Sequence, residues 1–379
     1  MPYWRLSAFY FFFFASVGAF VPYWGVYLKE LGYSALDIGL LMAVLMGSKI
    51  VSPNVWGWIA DRTGKRVPIV RLGALLSLLS FCGVFFASGF VWMAICMVLF
   101  GFFWNATLPQ YEVITLNHLH DDSHQYTKIR VWGSVGFIVA VVLLGLGLDQ
   151  FGVSLLPYAV VFLIAGILLA CLVTPPESLP VHHEQAGQGF VSLVMRPGVI
   201  ALFVICFLMQ ASHGPYYTFF SIYLESLDYS RAFVGQMWAL GVMAEVVFFL
   251  VAHRLFKLMS LRAFMILSLL LTTLRWLLIA CFADNLAVLL LAQCLHAASF
   301  GIYHAVAIQF IHKYFVGKSQ GRGQALYSSL SFGLGGALGG LYSGFLWEGM
   351  GPNATYVFAA GLSFLAALLA WRYLDRGKA

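Results

Sequence analysis

Charged side chains are scarce in this chain. Its 379 residues include 21 Lys and Arg and 15 Asp and Glu, so charged residues make up 9% of the sequence, against roughly 25% in an average soluble domain. Hydrophobic residues make up 61%, and the mean hydropathy is +0.88. So little charge cannot cover the surface of a water-soluble protein of this length. The composition therefore excludes a soluble globular fold and predicts an integral membrane protein.

The chain also lacks the patterns of a metal site or of a nucleic-acid site. Its six Cys lie in apolar runs, and none has a Cys-x-x-Cys or Cys/His spacing, so we expect no metal. The net charge of +6 comes without a soluble basic face that could bind phosphates, so we expect no nucleic-acid partner. Membrane proteins gain such a balance by retaining Lys and Arg in cytoplasmic loops.

Long apolar stretches, by contrast, occur twelve times. A helix needs about 20 apolar residues to cross the bilayer, and we expect the first stretch to be retained because it is longer than the apolar core of a signal peptide. The longest polar interruption falls halfway along the chain, which predicts two six-helix bundles, 1–173 and 197–379, joined by a cytoplasmic linker, 174–196. The predicted spans are 4–28, 36–60, 67–88, 91–114, 127–148, 153–173, 197–224, 231–253, 261–282, 286–311, 322–347 and 353–373.

The Lys and Arg residues are distributed asymmetrically between the loops. If the N-terminus is cytoplasmic, only Lys29 and Arg231 fall on the outer side, Lys49 and Arg275 lie within spans, and all the others fall on the inner side. Such a bias over short loops sets the orientation of a membrane protein. We therefore predict a multi-pass protein with both termini cytoplasmic.

The two halves repeat each other. Tyr27-Leu-Lys-Glu-Leu-Gly-Tyr-Ser34 corresponds to Tyr223-Leu-Glu-Ser-Leu-Asp-Tyr-Ser230, at an offset of 196 residues. The same offset places Lys49 on Glu245, so the halves carry opposite charges at one equivalent depth. Repeats related by a pseudo-two-fold axis are typical of secondary transporters that work by alternating access.

The loop after the second span reads Gly57-Trp-Ile-Ala-Asp61-Arg62-Thr-Gly64-Lys65-Arg66. It resembles the GxxxDRxGRK signature of the major facilitator superfamily in residue types, spacing and position. The resemblance implies an all-α membrane protein with the major facilitator fold, twelve transmembrane helices in two pseudo-symmetric six-helix bundles around a midplane cavity. It also implies a conformational latch formed by Gly57, Asp61, Arg62, Gly64, Lys65 and Arg66.

Charged residues inside the spans are the candidates for chemistry. A charge at the centre of a membrane helix costs about 2.5–3.5 kcal/mol, so such residues are expected to face the central cavity and not lipid. Ion pairs that only hold helices together are the alternative interpretation. The residues concerned are Lys49, Glu112, Arg130, Glu245 and Arg275.

Several of these residues match a second pattern. Glu112 and Arg130 lie on neighbouring spans, which resembles the Glu/Arg pair at the substrate site of lactose permease and its oligosaccharide:proton symporter relatives. Glu245, Arg275 and His296 match by type the residues that couple the proton in that family. The resemblance implies that these three residues couple proton movement to transport.

Two positions depart from the lactose permease pattern. Ser299 stands where an acid is expected three residues after the histidine, and Gln293 stands in place of a lysine. A sugar specificity therefore does not carry over. The proton is expected on Glu245 or His296.

The block from the ninth to the eleventh span resembles the phenylpropionate permease family. The similarity begins at Arg275-Trp276 and continues through Leu291-Ala-Gln-Cys-Leu-His296-Ala-Ala-Ser299-Phe-Gly301-Ile-Tyr-His304. It ends with Gln320-Gly-Arg-Gly-Gln324-Ala-Leu-Tyr327-Ser-Ser-Leu-Ser-Phe-Gly333-Leu-Gly-Gly. It implies proton-linked uptake of an aromatic acid across the bacterial inner membrane. The proton gradient would drive the transport without a cofactor, and a monomer would suffice.

An aromatic acid needs a cation for its carboxylate and aromatic surfaces for its ring. Aromatic residues make up 17% of the chain, so most of them are expected in packing or in the interfacial belt. The candidate substrate-binding residues are Lys49, Glu112, Arg130, Trp104, Asn105, Tyr23, Tyr216 and His304.

The sequence thus predicts a proton-coupled symporter that imports a small organic substrate, with an aromatic acid such as a phenylpropionate favoured. The alternatives are a proton-coupled importer of sugars or nucleosides and a proton antiporter that exports drugs or metabolites. The expected partners are this substrate, protons and membrane lipid. An integral-membrane enzyme is a remote alternative. The sequence contains one dense polar cluster, which we interpret as a solvated loop: His118, His120, Asp121, Asp122 and His124. We therefore expect that the protein is not an enzyme.

Overall fold

The computed structural model describes residues 2–86, 89–119, 123–175 and 189–374. Over these ranges the regular structure is helical and contains no strand, which confirms the predicted fold class. Most of the predicted linker lies outside the described residues, and so do His120, Asp121 and Asp122. The helices of the first half are α1 (Tyr3–Glu30), α2 (Ala35–Thr63), α3 (Arg66–Cys82), α4 (Phe90–Leu119), α5 (Ser123–Phe151) and α6 (Leu155–Val173).

The helices of the second half are more often interrupted. The seventh predicted span consists of two helices that meet at His213, and two further spans contain π-helical segments, Ala297–Ile302 and Ser329–Gly335. The helices are α7 (Phe190–Val194), α8 (Pro197–Ser212), α9 (Gly214–Ser226), α10 (Arg231–Leu255), α11 (Leu261–Phe282), α12 (Leu286–Cys294), α13 (Tyr303–Tyr314), α14 (Gln320–Ser328) and α15 (Gly336–Tyr373).

Eleven helical segments of the described chain are long and apolar enough to cross a membrane. The last, Gln320–Tyr373, contains 54 residues, about 80 Å at 1.5 Å per residue, whereas the hydrocarbon core of a bilayer is about 30 Å thick. Gly351 interrupts it with a φ of 79°, and Pro352 follows. This segment therefore holds two spans, in agreement with the twelve predicted from the sequence.

The ends of α2 follow from local sequence. The Ser34 hydroxyl accepts from the backbone N–H of Asp37, and the Asp37 carboxylate accepts from that of Ser34, a reciprocal capping box. The helix ends at Gly64, whose φ of 68° lies in the left-handed region that glycine adopts at little cost. The second glycine of the latch motif is thus required by the turn between α2 and α3.

The described residues form two compact units. The first comprises Met1–His183 and Asp228–Ala239, and the second comprises Glu184–Leu227 and Leu240–Ala379. In the first unit α1 packs on α5 and α6, and α4 packs on α2 and α3; in the second unit α15 packs on α8, α9 and α11.

The boundary between the units crosses α10, because residues of the first unit hold the start of this helix. The Asp149 carboxylate, at the end of α5, accepts from the backbone N–H groups of Arg231 and Ala232, both at 2.9 Å. These N–H groups have no partner within the helix, and a negative charge at a helix N-terminus is favourable. A second acid, Glu30, lies 3.8 Å from the Arg231 guanidinium.

An arginine ties the last helix of each repeat to the third. Arg71 on α3 donates to three carbonyls at the end of α6, and Arg262 on α11 donates to two carbonyls near the end of α15. The last carbonyls of a helix lack intrahelical donors. In both repeats, therefore, an arginine of the third span supplies hydrogen bonds to the terminal carbonyls of the last span.

Glycines allow α1 and α5 to approach closely. A Cβ at Gly136 would lie 2.2 Å from the carbonyl oxygen of Phe11, and a Cβ at Gly18 would lie 2.7 Å from that of Phe137. Any larger residue at these positions would push the two backbones apart.

We expect Gly136→Ala to lower the thermal stability of the detergent-solubilised protein, since overpacking a close contact costs about 1–3 kcal/mol. Gly361→Ala is the matched control, because no heavy atom lies within 4 Å of a Cβ at Gly361. The melting temperatures of both variants would be measured by intrinsic fluorescence. Equal melting temperatures for the two variants would show that the contact does not limit stability.

Candidate functional site

Arg275, on α11, lies at the centre of a polar cluster in the second unit and is 0% exposed. Its Nε donates to the carbonyl of Ala292 at 2.9 Å, and its Nη2 donates to Gln293 Oε1 at 3.3 Å. Its Nη1 lies 2.8 Å from Ser299 Oγ and 3.1 Å from His296 Nδ1. The guanidinium is thus held by four neutral acceptors.

Two aromatic rings complete the surroundings of this guanidinium. The Arg275 Cζ lies 4.2 Å from the ring centroid of Tyr216 and 4.7 Å from that of Trp276, distances at which a cation is attracted to a π face. The Tyr216 hydroxyl donates to Gln293 Oε1 at 3.1 Å. The structure therefore brings Tyr216, one of the predicted substrate residues, into the Arg275 cluster.

His296 connects Arg275 to an acid. A guanidinium can only donate hydrogen bonds, so His296 Nδ1 accepts from Arg275 and the neutral imidazole carries its proton on Nε2. That Nε2 lies 3.8 Å from Glu245 Oε2 on α10. The three predicted coupling residues thus stand in the order cation, imidazole, carboxylate. Of the three, Glu245 is the one whose side chain is partly exposed, at 19%.

Small residues allow α10 to approach this histidine. A Cβ at Gly241 would lie 3.3 Å from the His296 side chain, and a Cβ at Gly301 would lie 3.2 Å from Glu245 Cγ. Gly301 belongs to the π-helical segment that begins directly after His296. Such segments are frequent at functional sites, because the extra residue in the turn displaces neighbouring side chains.

His304 lies at the other end of the same π-helical segment. Its Nδ1 is 3.1 Å from the Tyr327 hydroxyl on α14, and its ring stacks on Phe300 with centroids 5.8 Å apart. The structure therefore places His304 in a contact between α13 and α14, apart from the hydrogen bonds of Arg275.

In the first unit, Lys49 on α2 is a partly buried cation. Among the described residues no carboxylate lies within 4.0 Å of its ammonium. The adjacent Ser48 hydroxyl accepts from Asn105 Nδ2 at 2.8 Å. Trp104 is 4% exposed and stacks on Phe13 with centroids 5.0 Å apart, and its indole N–H has no partner in the described structure. Within the part of the chain that the structure describes, the Lys49 ammonium thus lacks an acid partner and the Trp104 indole N–H lacks an acceptor.

Glu112 and Arg130 come together in a separate aromatic cluster. The Arg130 guanidinium lies 3.9 Å from the ring centroid of Phe14 and interacts electrostatically with the Glu112 carboxylate. Glu112 Oε1 also accepts from the Tyr126 hydroxyl at 3.4 Å. The two predicted residues therefore lie in one cluster of the first unit, but among the described residues they form no ion pair within 4.0 Å. Tyr23 has a different surrounding, since its hydroxyl donates to the Val141 carbonyl at 2.8 Å in the contact between α1 and α5.

The latch motif links three helices of the first unit. Arg66, at the start of α3, pairs with the Asp61 carboxylate of α2 and donates to Gln110 Oε1 of α4. A Cβ at Gly57 would lie 3.5 Å from the Gln110 amide nitrogen. Arg62 lies over the Trp58 ring at 5.3 Å. Lys65 is exposed.

The structure adds three residues that were not predicted as site residues. Gln293 and Ser299, which depart from the lactose permease pattern, both accept from Arg275. Gln293, His296 and Ser299 follow one another at steps of three residues, so their common helix face was readable from the sequence. His213 lies at the junction of α8 and α9 and is 0% exposed, and no spacing in the sequence indicated it.

Over the described ranges, no group of three or more His, Cys, Asp or Glu could hold a metal ion.

Known proteins share this arrangement of helices. The profile of the MFS_1 like family matches residues 3–358. The chain belongs to the MFS_1 like family. This MFS protein is accordingly a multi-pass membrane protein and a secondary transporter, as its composition and its repeats predicted.

Two curated relatives cover nearly the whole of this MFS protein. A probable 3-phenylpropionic acid transporter of Escherichia coli (strain K12) is 30% identical over 92% of this chain and 92% of its own length. Maltose permease of Geobacillus stearothermophilus is 27% identical over 95% of this chain and 92% of its own length. The crystal structure of the nucleoside transporter NupG covers 98% of this chain and 100% of its own, with a TM-score of 0.86 at 19% identity. NupG therefore shares the fold.

We expect the melting temperature to change in opposite directions when the charge of the buried Arg275 and that of the partly buried Lys49 are removed. Arg275→Met should lower the melting temperature, because four acceptors lose their donor and each unsatisfied buried group costs about 1–3 kcal/mol. Lys49→Met should raise it, because Lys49 is partly buried and has no acid partner among the described residues, so an apolar group of similar length removes a desolvation penalty. Both variants would be measured in detergent without substrate. A Lys49→Met variant that loses as much stability as Arg275→Met would show that Lys49 has a structural partner.

Proposed function

We propose that this MFS protein is a symporter that imports a small aromatic acid together with protons by alternating access. The observation that carries the proposal is the series of the buried Arg275, the buried His296 and the partly exposed Glu245. The proton resides on Glu245, because a second proton on His296 would have to enter Nδ1 and would break the bond to Arg275. His296 orients the Glu245 carboxylate, and its polarised ring connects this carboxylate electrostatically with the Arg275 guanidinium.

Proton binding and substrate binding support each other in this arrangement. While Glu245 is ionised, it balances the charge of Arg275 across the neutral imidazole. Once Glu245 is protonated, the cluster carries a net positive charge in a medium of low dielectric constant, where it attracts an anion strongly. Because coupling between two ligands is reciprocal, a bound carboxylate in turn favours the protonated state of Glu245.

The first unit contains groups whose chemistry suits an aromatic carboxylate. Lys49 is a cation without an acid partner among the described residues, and a carboxylate is the group that satisfies it best. The unpaired N–H of Trp104 adds a donor, and the Trp104 and Phe13 rings offer apolar surface. The chemistry of the curated relative, a probable 3-phenylpropionic acid transporter, supports this substrate class.

The remaining candidates take supporting roles in this proposal. Glu112 and Arg130 provide a second acid and a second base, and the ion pair of Asp61 with Arg66 holds one of the two transport conformations. The other predicted substrate-binding residues are Asn105 and Tyr23 in the first unit and Tyr216 and His304 in the second unit. No catalytic residue is assigned, and the transporter works as a monomer driven by the proton gradient.

The cycle begins when Glu245 takes a proton from the outer side and the substrate carboxylate binds. Neutralising charge lowers the free-energy cost of closing the site away from water. After the conformational change, both the substrate and the proton leave on the inner side, and Glu245 again balances Arg275. The net result is uptake of one acid with at least one proton.

We expect both termini to be cytoplasmic in the inner membrane, since Lys and Arg are concentrated on that side. A C-terminal fusion to green fluorescent protein should fluoresce, whereas a C-terminal fusion to alkaline phosphatase should be inactive. The opposite pair of results would place the C-terminus outside and would reverse the proposed direction of loading.

We expect Glu245→Gln to abolish proton-driven accumulation of 3-phenylpropionate in proteoliposomes but to retain exchange of labelled for unlabelled substrate. The amide keeps the shape of the protonated acid and cannot release a proton. Glu348→Gln, an exposed acid of α15 in the same unit, is the control and should accumulate substrate normally. Undiminished accumulation by Glu245→Gln would place the proton on another group.

The substrate class is tested by recording the internal pH of the same proteoliposomes. Addition of 3-phenylpropionate should acidify the interior under an inward proton gradient, and sugars and nucleosides should leave the internal pH unchanged. Proton movement in the opposite direction to a hydrophobic cation would instead indicate an antiporter.

A further inference from the structure

Two fully buried residues of the second unit each keep one polar atom without a hydrogen-bond partner in the described structure. These atoms are His213 Nε2 and Gln293 Nε2, and both residues are 0% exposed. A buried polar group without a hydrogen-bond partner lowers the stability of the free protein. A protein that binds a ligand recovers this free energy when the ligand supplies the missing partner.

The unpaired atom of Gln293 is a donor. Its Oε1 accepts from the Tyr216 hydroxyl at 3.1 Å and from Arg275 Nη2 at 3.3 Å. Because a guanidinium only donates, these bonds identify the oxygen of the amide. The other end is therefore the NH2 group, which has two hydrogens to donate.

The unpaired atom of His213 is an acceptor. The Nδ1 of this residue lies 2.9 Å from the Met209 carbonyl. A carbonyl oxygen only accepts, so Nδ1 carries the proton of the neutral ring. The lone pair of Nε2 is then left without a hydrogen to accept.

Tyr216 and Trp276 connect these two atoms. The ring of His213 lies 4.9 Å from that of Trp276, and the ring of Tyr216 lies 5.8 Å from it. Tyr216 is also bonded to Gln293 and lies one helical turn after His213. The residue with the acceptor thus contacts Trp276 and the residue with the donor is bonded to Tyr216, and both of these rings also contact the Arg275 guanidinium.

The chemistry of this pair selects the group that it binds. A carboxylate offers only acceptors and an ammonium only donors, whereas a hydroxyl offers both a hydrogen and lone pairs. We propose that His213 and Gln293 form a subsite for a hydroxyl group, so that the preferred substrate is an aromatic acid with a hydroxyl on its ring. The part of the proposal that concerns an acid rests on the proposed function, and the hydroxyl recognition rests on these two residues.

The first test compares the binding of three acids to the purified wild-type protein by titration calorimetry. These acids are 3-phenylpropionate and its 3-hydroxyphenyl and 4-hydroxyphenyl analogues. A site that hydrogen-bonds a hydroxyl discriminates against the analogue that lacks it, so at least one hydroxylated acid should bind at least about tenfold more tightly. Equal Kd values for all three acids would overturn the proposal.

Variants then assign the discrimination to the two residues. His213→Phe keeps a ring and should reduce the affinity for the hydroxylated acid to about that for 3-phenylpropionate. Gln293→Leu keeps the side-chain volume but also removes an acceptor of Arg275, so it should weaken the binding of all three acids and, in addition, bring the ratio of their Kd values to about one. Gln210→Leu is the matched control. Its amide nitrogen is also buried and unpaired, but its Cβ lies 3.1 Å from a Cβ built at Gly335, on the side that faces the second π-helical segment. This control should keep the wild-type discrimination.

Two further outcomes separate the possible failures. Equal loss of affinity for all three acids in His213→Phe and Gln293→Leu would show that these residues only support the fold, which overturns the subsite. If none of the acids binds, the proposed function fails, and the subsite is tested with a pair that lacks a carboxylate, 2-(4-hydroxyphenyl)ethanol and 2-phenylethanol. A preference for the phenol that His213→Phe abolishes would support the subsite, and no preference would overturn it.

Discussion

A guanidinium with no exposed surface, inside a bundle that itself lies in lipid, is the constraint around which the second unit is organised. Water cannot solvate Arg275, so the protein has to provide acceptors and polarisable surface. It does so with a backbone carbonyl, an amide, an imidazole, a hydroxyl and the faces of Tyr216 and Trp276. All of these partners are neutral, and the carboxylate of Glu245 lies beyond His296, 3.8 Å from the other nitrogen of its ring. The state of that acid therefore decides the charge of the whole cluster.

The two repeats share a frame and differ in charge. Arg71 and Arg262 hold the ends of the last helices of their repeats in equivalent ways. At one pair of equivalent positions, however, the first repeat carries Lys49 and the second carries Glu245. In the first unit Lys49 has no acid partner among the described residues, whereas in the second Glu245 faces His296. The symmetric frame thus carries a cation in the first unit, without an acid partner in the described part of the chain, and a carboxylate beside a histidine in the second unit.

Much of the fold could be predicted because the lipid environment imposes simple rules. The length of about 20 apolar residues per span follows from the thickness of the bilayer and can be read from the distribution of apolar residues along the chain. The boundary between the last two spans was expected between 347 and 353, and the chain turns at Gly351. The family resemblance, based on the motif from Gly57 to Arg66 and on the block around His296, is confirmed by the family match over residues 3–358. The candidate residues Glu245, Arg275, His296 and Tyr216 were named from the sequence and lie in one cluster.

By itself, the sequence determined the membrane environment, the number of spans, the repeat and the family, because these depend on periodicity, length and local motifs. Only the tertiary structure decided which polar groups meet. Gln293 and Ser299 stand where the related pattern has charged residues, and their role as acceptors is visible only once α11 lies beside the helix that carries them. His213 lies at the break between α8 and α9, and its position next to Trp276 depends on that break. Contacts of this kind join residues many positions apart, and no local pattern records the partner of a buried hydrogen-bonding group.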